Sequence, residues 1–348
     1  MLSRIVHAVH RRFIWLVVAS YFVAALLPQF GLWIRTASLG FVPLTQGRLE
    51  ASLPSIMLAS LLFNAGLGVR LSDLKQLIHG PGPLLAGLVA NLTLPVTYIF
   101  VVSQVMRLWH NSEEVQHILV GLALVASMPI AGSSTAWTQN ANGNLALSLG
   151  LVLFSTILSP LATPLVLHAV GLMTTGDYSE DLHELASGGV GSFLGVWVIL
   201  PSLAGIAARL LAGENRMAII RPYLKLVNWA VLLLLNYSNA SLSLPKAVAE
   251  PDFDYLAVML VLALSLCAVA FTTGWGIARV LRTDRDQRVS MMFALGMNNN
   301  GAGLVLASIA LADHPQVMLP IIFYNLVQHL VAASVDALMF RDVVQETD

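Results

Sequence analysis

Charged residues are scarce in this 348-residue chain, since Lys, Arg, Asp and Glu make up only 11 % of it. Soluble domains carry about 25 % charged residues, because most of a globular surface has to meet water. A soluble fold is therefore excluded. The formal net charge of -1 supplies no basic field for binding nucleic acid. A single cysteine, Cys267, excludes an internal disulfide and a multi-cysteine metal site.

Apolar residues are abundant instead: they form 57 % of the chain, and the mean hydropathy is +0.77. A transmembrane helix needs about 20 mostly apolar residues, so the sequence predicts an all-α membrane protein with ten spans. The whole chain, 1–348, is expected to form one polytopic transport domain surrounded by membrane lipid. The apolar runs place the spans at 13–33, 54–69, 83–106, 115–141, 144–172, 188–211, 224–245, 253–280, 289–312 and 317–340.

The first span follows a basic segment, since residues 1–12 contain three arginines. A secretory signal has a shorter apolar core and a small-residue cleavage site. Here the core carries the bulky Trp15 and Tyr21, and many more spans follow. We therefore expect a retained first helix that ends near Trp33.

The basic residues are distributed unequally between the two sides of the predicted spans. Of the 18 Lys and Arg residues, 14 fall on the side that holds both termini and four on the other. Cytoplasmic loops carry the excess of Lys and Arg, so both termini are predicted to be cytoplasmic in a cell membrane (inner or plasma). The acidic loop 177–184 then faces outside.

Two spans are interrupted by glycine and small polar residues. The interruption covers residues 127–144 in the fourth span and 296–303 in the ninth. These spans occupy the same place in two halves of five, at about 13–172 and 188–340. An odd number of spans per half gives the halves opposite orientations, which is the inverted-repeat plan of many secondary transporters. The alternative is that two loops split shorter helices.

Polar groups at these interruptions suit ions and anionic substrates. Ser133, Ser134 and Thr135 offer hydroxyl and carbonyl oxygens, and three consecutive asparagines occupy positions 298–300. Unwound carbonyls and hydroxyls suit hard cations, whereas the N-termini of half-helices suit anions. If the two interruptions cross, these groups converge. The alternative for the serines and threonines is hydrogen bonding between helices.

Four stretches of sequence carry a family resemblance. They are Leu-Phe-Asn-Ala-Gly-Leu-Gly-Val at 62–69 with Asp73 after it, Met-Pro at 128–129 through Gly-Asn-Leu-Ala-Leu-Ser at 143–148, Ser-Pro-Leu-Ala-Thr-Pro at 159–164, and Gly-Met-Asn-Asn at 296–299. Together they resemble the bile acid:sodium symporter family of the bile acid, arsenite and riboflavin transporter superfamily. The resemblance implies ten helices, with the fourth and ninth unwound and crossing, and a panel and a core domain that move against each other. It also implies sodium-driven uptake of bile acids or other organic anions.

The resemblance implies sodium ligands at positions where some residues of this chain differ from those of the family. They fall on Ser134, Thr135, Ser148, Asn298 and Asn299. A family threonine falls on Val152 and the family glutamate on Ala294, and neither side chain can bind a cation. A third-helix glutamine falls on Ala90 or Asn91. Since hydroxyls and amides supply only dipoles, sodium coupling is left as an open question.

The predicted function is secondary active transport of a small organic anion, bile-acid-like or a carboxylate metabolite, by alternating access. Polar residues at the breaks and on neighbouring spans are the candidates for substrate contact. They are Ser133, Asn64, Asn300, Asn236 and Asn239, with Gln328 on the tenth span as a further contributor. The number of subunits is left open.

Other functions remain as alternatives. A sodium-independent or proton-coupled carrier of the same fold would use a buried ionisable group such as His329. A metalloid exporter needs a thiolate near the fourth-span break, and Cys267 lies in the eighth span. An enzyme is not expected, because the spans lack motifs such as H-E-x-x-H. A channel needs a repeated filter or charged rings, and only two asymmetric breaks are present.

Overall fold

The computed structural model describes residues 13–44, 47–69 and 80–339, and these are almost entirely helical. Fourteen α-helices are labelled in chain order within these ranges. They are α1 (Phe13–Leu26), α2 (Gln29–Thr36), α3 (Leu53–Gly68), α4 (Gly82–Val105), α5 (Ser112–Ser127), α6 (Ser133–Asn140), α7 (Leu145–Gly171), α8 (Asp177–Glu184), α9 (Val190–Leu194), α10 (Leu200–Ala249), α11 (Phe253–Val280), α12 (Arg285–Leu295), α13 (Asn300–Ala310) and α14 (Met318–Met339). Short 3₁₀ turns cover Met106–Leu108 and Pro315–Val317, and π-helical turns cover Leu185–Gly189 and Gly195–Ile199.

Two short strands form an antiparallel hairpin between α2 and α3. Strand β1 (Ser38–Leu44) pairs with β2 (Gly47–Ser52), and Val42 lies opposite Leu49. The sequence reading did not foresee these strands, and the register is irregular between Ser38 and Phe41. The hairpin exposes Phe41.

Five described helical segments are long and apolar enough to cross a membrane, or six if the bent pair α1 and α2 counts as one span. The all-α membrane class is therefore confirmed. The five are Gly82–Leu108, Leu145–Gly171, Asp177–Gly213, Phe253–Val280 and Pro315–Leu338.

The first predicted span is wrong as a single helix. Helix α1 ends at Leu26, and α2 leaves it at an angle of 92°. The bend coincides with Pro28, whose ring disfavours helical backbone at the residue before it. Trp33, the predicted end of the span, therefore lies on a separate helix.

Two predicted loops are also helical. The acidic segment 177–184 forms α8, which begins after Gly176 at φ 61°. The basic segment 212–224 lies within α10, which is interrupted at Gly213, where φ is 73°. The acidic segment has no apolar run because its residues are mostly polar, and the basic segment carries Glu214, Arg216 and Arg221 among its apolar residues. The basic residues of 1–12 and Asp73 lie outside the described residues.

The helices pack as two groups. The first group consists of α1, α2 and α3 against α10, and the second consists of α4 to α7 with α11 to α14. Helices α3 and α10 approach closely at two glycines: a Cβ on Gly66 would lie 2.1 Å from the carbonyl oxygen of Ser202, and one on Gly205 would lie 2.1 Å from that of Phe63. Between helices in lipid, small residues permit such close backbone contact.

Candidate functional site

Both predicted interruptions are breaks in the helices. Helix α5 ends at Ser127 and α6 begins at Ser133, so the fourth span is unwound between them. Helix α12 ends at Leu295 and α13 begins at Asn300, so the ninth span is unwound as well. The fourth-span break includes Pro129, which has no N–H to donate to a helix.

The two breaks hydrogen bond to each other as a short antiparallel bridge between Ile130 and Asn298. The N–H of Ala131 donates to the carbonyl oxygen of Met297 at 2.9 Å, and the N–H of Asn299 donates to that of Pro129 at 2.9 Å. The prediction that the two breaks meet is confirmed. The bridge pairs backbone groups that lipid could not satisfy.

Helix α7 supports the fourth-span break with a stripe of buried hydroxyls. The Oγ atom of Ser155 accepts from the N–H of Ile130 at 3.1 Å, and the hydroxyl of Thr163 donates to the carbonyl oxygen of Ser127 at 2.6 Å. Sequence reasoning missed both residues. Their spacing from Ser148, by seven and fifteen residues, places all three on one helical face, and that periodicity was the available signal.

A cluster of hydroxyls lies beside this break, on α6 and α7. The hydroxyl of Ser148 donates to Oγ1 of Thr135 at 3.1 Å, and Thr138 donates to Oγ of Ser148 at 3.3 Å. Ser134 is fully buried, and its Oγ has no hydrogen-bond partner among the described residues. The structure thus brings Thr135 and Ser148 together, adds Thr138, and places an unsatisfied oxygen next to them in sequence.

The ninth-span break carries amide groups with distinct roles. Asn298 donates from Nδ2 to the carbonyl oxygen of Val125 at 3.0 Å, while its Oδ1 is buried without a partner among the described residues. Its backbone N–H donates to Oε1 of Gln328 at 3.1 Å. Asn299 caps α13, because its Oδ1 accepts from the N–H of Ala302 at 3.2 Å. Asn298 thus retains an oxygen that a cation could use.

The position of the expected carboxylate is apolar. Ala294 is fully buried, in one cluster with Ile130, Leu147 and Leu151. Val152 packs against the same cluster. The described residues also contain no group of three or more His, Cys, Asp or Glu side chains placed to hold a metal ion. Among the predicted ligands, a cation would meet only the neutral oxygens of hydroxyl and amide groups.

The predicted substrate residues fall into two sets. Ser133 is half-buried beside the exposed Gly132, where a Cβ would lie 3.8 Å from that of Ala65 on α3. Asn64, on the same helix, donates from Nδ2 to the carbonyl oxygen of Leu224 at 3.1 Å. This first set lies where the fourth-span break approaches α3.

The second set consists of buried amides on α10 and α13. Asn236 is 2 % exposed. Neither amide atom of Asn239 or of Asn300 has a hydrogen-bond partner among the described residues, although these residues are 0 % and 1 % exposed. Unpaired buried amides are costly, so these positions are poor choices for a purely structural role.

Helix ends of both polarities meet at the crossing. Helices α5 and α12 end there, and α6 and α13 begin there. Helix C-termini carry partial negative charge and favour cations, whereas N-termini carry partial positive charge and favour anions. The crossing can therefore accommodate a cation and an anionic group at neighbouring places.

Comparison with known proteins gives the family. A sequence model described as the Sodium Bile acid symporter family matches residues 55–250. The chain belongs to this family. The match covers the fourth-span break, and the ninth-span break lies beyond it.

Relatives of this symporter-family chain include bacterial and plant proteins. The protein YbaS of Bacillus subtilis is 26 % identical over 79 % of this chain and 84 % of its own length. The sodium-dependent transporter YocS of the same organism is 25 % identical over 80 % of this chain and 81 % of its own length. A chloroplastic protein of Arabidopsis thaliana, named a probable sodium/metabolite cotransporter BASS1, is 26 % identical over 71 % of this chain and 57 % of its own length.

Proposed function

We propose that this transporter-family chain is a secondary active carrier that moves a small organic anion by alternating access. The observation that carries the proposal is the pairing of the two helix breaks through Ala131 and Asn299. Unwound backbone is tolerated at membrane depth only where protein or a water-filled cavity satisfies it. Crossed broken helices are the binding sites of many secondary transporters.

The proposed topology has ten spans in two inverted halves, at about 13–172 and 188–340, with both termini cytoplasmic. The equivalent places of the two breaks, in α5–α6 and α12–α13, support this arrangement. The two helix groups, α1 to α3 with α10 and the remaining described helices around the breaks, would move against each other. A cell membrane is the proposed location.

Sodium is the proposed coupling ion, bound by oxygens of Ser134, Thr135, Ser148, Asn298 and Asn299. The buried, unpartnered Oγ of Ser134 and Oδ1 of Asn298 support this assignment. Two relatives also carry sodium in their names. Sodium entry down its gradient would supply the driving force for the anion.

The substrate is proposed to bind between α3 and the crossing. Ser133 and Asn64 lie where α3 approaches the crossing. The buried side chains of Asn300, Asn236 and Asn239 supply further amides. The positive N-terminal ends of α6 and α13 would attract the anionic group. The apolar residues around these amides suit a hydrophobic body, as in a sterol-like or carboxylate metabolite.

A sodium-independent carrier is the second candidate, and the apolar surroundings of Ala294 favour it. One experiment separates the two candidates. The purified protein in proteoliposomes is supplied with a panel of labelled organic anions under an imposed sodium gradient, an imposed proton gradient, or neither. Uptake that follows the sodium gradient supports sodium coupling, and equal uptake without sodium supports the second candidate. Flux of no anion under any gradient would contradict a carrier function.

A further inference from the structure

At one end of the crossing, residues of both helix groups are exposed. Gly132, Ala136 and Gln139 are exposed, and a Cβ on Gly132 would lie 3.8 Å from that of Ala65 on α3. On α3 itself, Ala65 and Gly68 are exposed as well. In the proposed topology this is the cytoplasmic end.

At the opposite end of the crossing, residues of both helix groups are buried. Helix α13 is buried from Ala302 to Ser308, and the first turn of α3 is buried at Pro54 and Ser55. We interpret the exposed end as open and the buried end as closed, which corresponds to one of the two states of an alternating-access cycle. The closed end is the outer end in the proposed topology.

At this closed end, a long-range hydrogen bond joins the two helix groups. Nη2 of Arg35, on α2, donates to the carbonyl oxygen of Ser308 at 2.7 Å. Ser308 lies in the last turn of α13, where carbonyl groups lack intrahelical partners and attract cations. Nη1 of Arg35 is buried without a hydrogen-bond partner among the described residues.

Helix α2 is itself fixed to the first helix group. Gly31 donates from its N–H to the hydroxyl oxygen of Tyr237 on α10 at 3.1 Å. The same hydroxyl donates to the carbonyl oxygen of Leu27 at 2.5 Å. Arg35 therefore reaches from an anchored element of one group to the end of a broken helix in the other.

We propose that Arg35 is an outer gate residue, whose bond to the Ser308 carbonyl must break before the site opens to the outside. This inference rests on the proposed function. The bond from Nη2 is charge-assisted, whereas Nη1 has no hydrogen-bond partner among the described residues in this state. Opening would expose the guanidinium at the outer mouth, where an anionic substrate arrives.

Cysteine accessibility tests the gate without any knowledge of the substrate. Ser133→Cys is introduced at the crossing, and the protein is reconstituted in proteoliposomes of known orientation. A membrane-impermeant maleimide is then added from either side, and labelling is measured by mass spectrometry of the peptide. With Arg35 present, we expect labelling predominantly from the cytoplasmic side.

Arg35→Met removes the donors and keeps a long side chain. It is expected to raise labelling of Ser133→Cys from the outside about tenfold, since a hydrogen bond to a charged group is lost. Arg35→Lys, which retains a cation, is expected to restore most of the closure. Arg107→Met changes an exposed arginine of the same predicted side and should leave the labelling unchanged.

The native Cys267 reports on unfolding in the same samples, because it is fully buried. Unchanged outside labelling in Arg35→Met, with Cys267 still protected, would overturn the gate. Equal labelling from both sides with Arg35 present would overturn it too. If labelling changes as expected but no anion is transported under any gradient, the gate stands and the proposed function fails.

Discussion

Replacing Ser134 by alanine separates a structural role from sodium binding. Its Oγ is fully buried and has no partner among the described residues. An unsatisfied buried polar group costs about 1–3 kcal/mol. In sodium-free buffer, Ser134→Ala should therefore be at least as stable as the parent protein, with a gain of about 1 kcal/mol.

If Ser134 is a sodium ligand, the parent protein should become more stable than Ser134→Ala when sodium is added. A ligand that binds only the folded state stabilises it by RT ln(1 + [L]/Kd), which is about 1.4 kcal/mol at ten times Kd. The parent protein is expected to gain this stability and Ser134→Ala to lose most of it. The assay is thermal unfolding of the purified protein in nanodiscs, in sodium chloride and in choline chloride of equal ionic strength.

Ser155→Ala is the matched control. Ser155 accepts from the N–H of Ile130, so its loss should cost about 1–3 kcal/mol in both salts and leave the stabilisation by sodium intact. Ser134→Ala with an undiminished sodium response would show that Ser134 is not a ligand. A loss in sodium-free buffer as large as that of Ser155→Ala would refute the argument from an unpartnered hydroxyl.

Four further substitutions test the site and the packing. Asn298→Leu should abolish transport in proteoliposomes while membrane insertion persists, because both side-chain amide groups are lost; wild-type flux would contradict a role for this amide. Ala294→Glu should lower thermal stability, because overpacking costs about 1–3 kcal/mol before a charge is buried; a sodium-stimulated variant of normal stability would contradict this. Gly205→Ala should destabilise the protein by more than 1 kcal/mol, as overpacking does in cores, since its Cβ would lie 2.1 Å from a carbonyl oxygen of α3. Gly276→Ala is the control, because a Cβ there would have no neighbour within 4 Å, and it should gain up to about 1 kcal/mol from helix propensity. Equal effects of Gly205→Ala and Gly276→Ala on the unfolding temperature would argue against the close contact between α3 and α10.

Long apolar helices were predicted well from the sequence. The eighth predicted span, 253–280, coincides with α11, and the fifth, 144–172, differs from α7 by one residue at each end. Lipid requires a minimum apolar length, and that length can be read from the composition of a single segment. The breaks in the fourth and ninth spans could also be read from single segments, because proline, glycine and asparagine act on the backbone of their own segment.

The sequence-based predictions were wrong where local composition does not determine the secondary structure or the direction of a helix. The acidic segment 177–184 forms a helix although it lacks an apolar run, because α8 packs on α7 and tertiary packing supplies most helical stability. Pro28 favours a break after α1, but the direction that α2 takes, at 92° to α1, also depends on the docking of Gly31 against Tyr237. No pattern within residues 13–36 contains that contact.

Apolar length and local backbone chemistry place this chain in a membrane, locate its long apolar helices, and identify the residues at which two of them are unwound. Contacts between remote segments are visible only in the folded chain: the breaks hydrogen bond to each other, Ser148 bonds to Thr135, and Arg35 reaches Ser308 across 273 positions of sequence. Backbone preference and apolar length act within one segment, whereas these contacts form only when helices remote in sequence pack side by side.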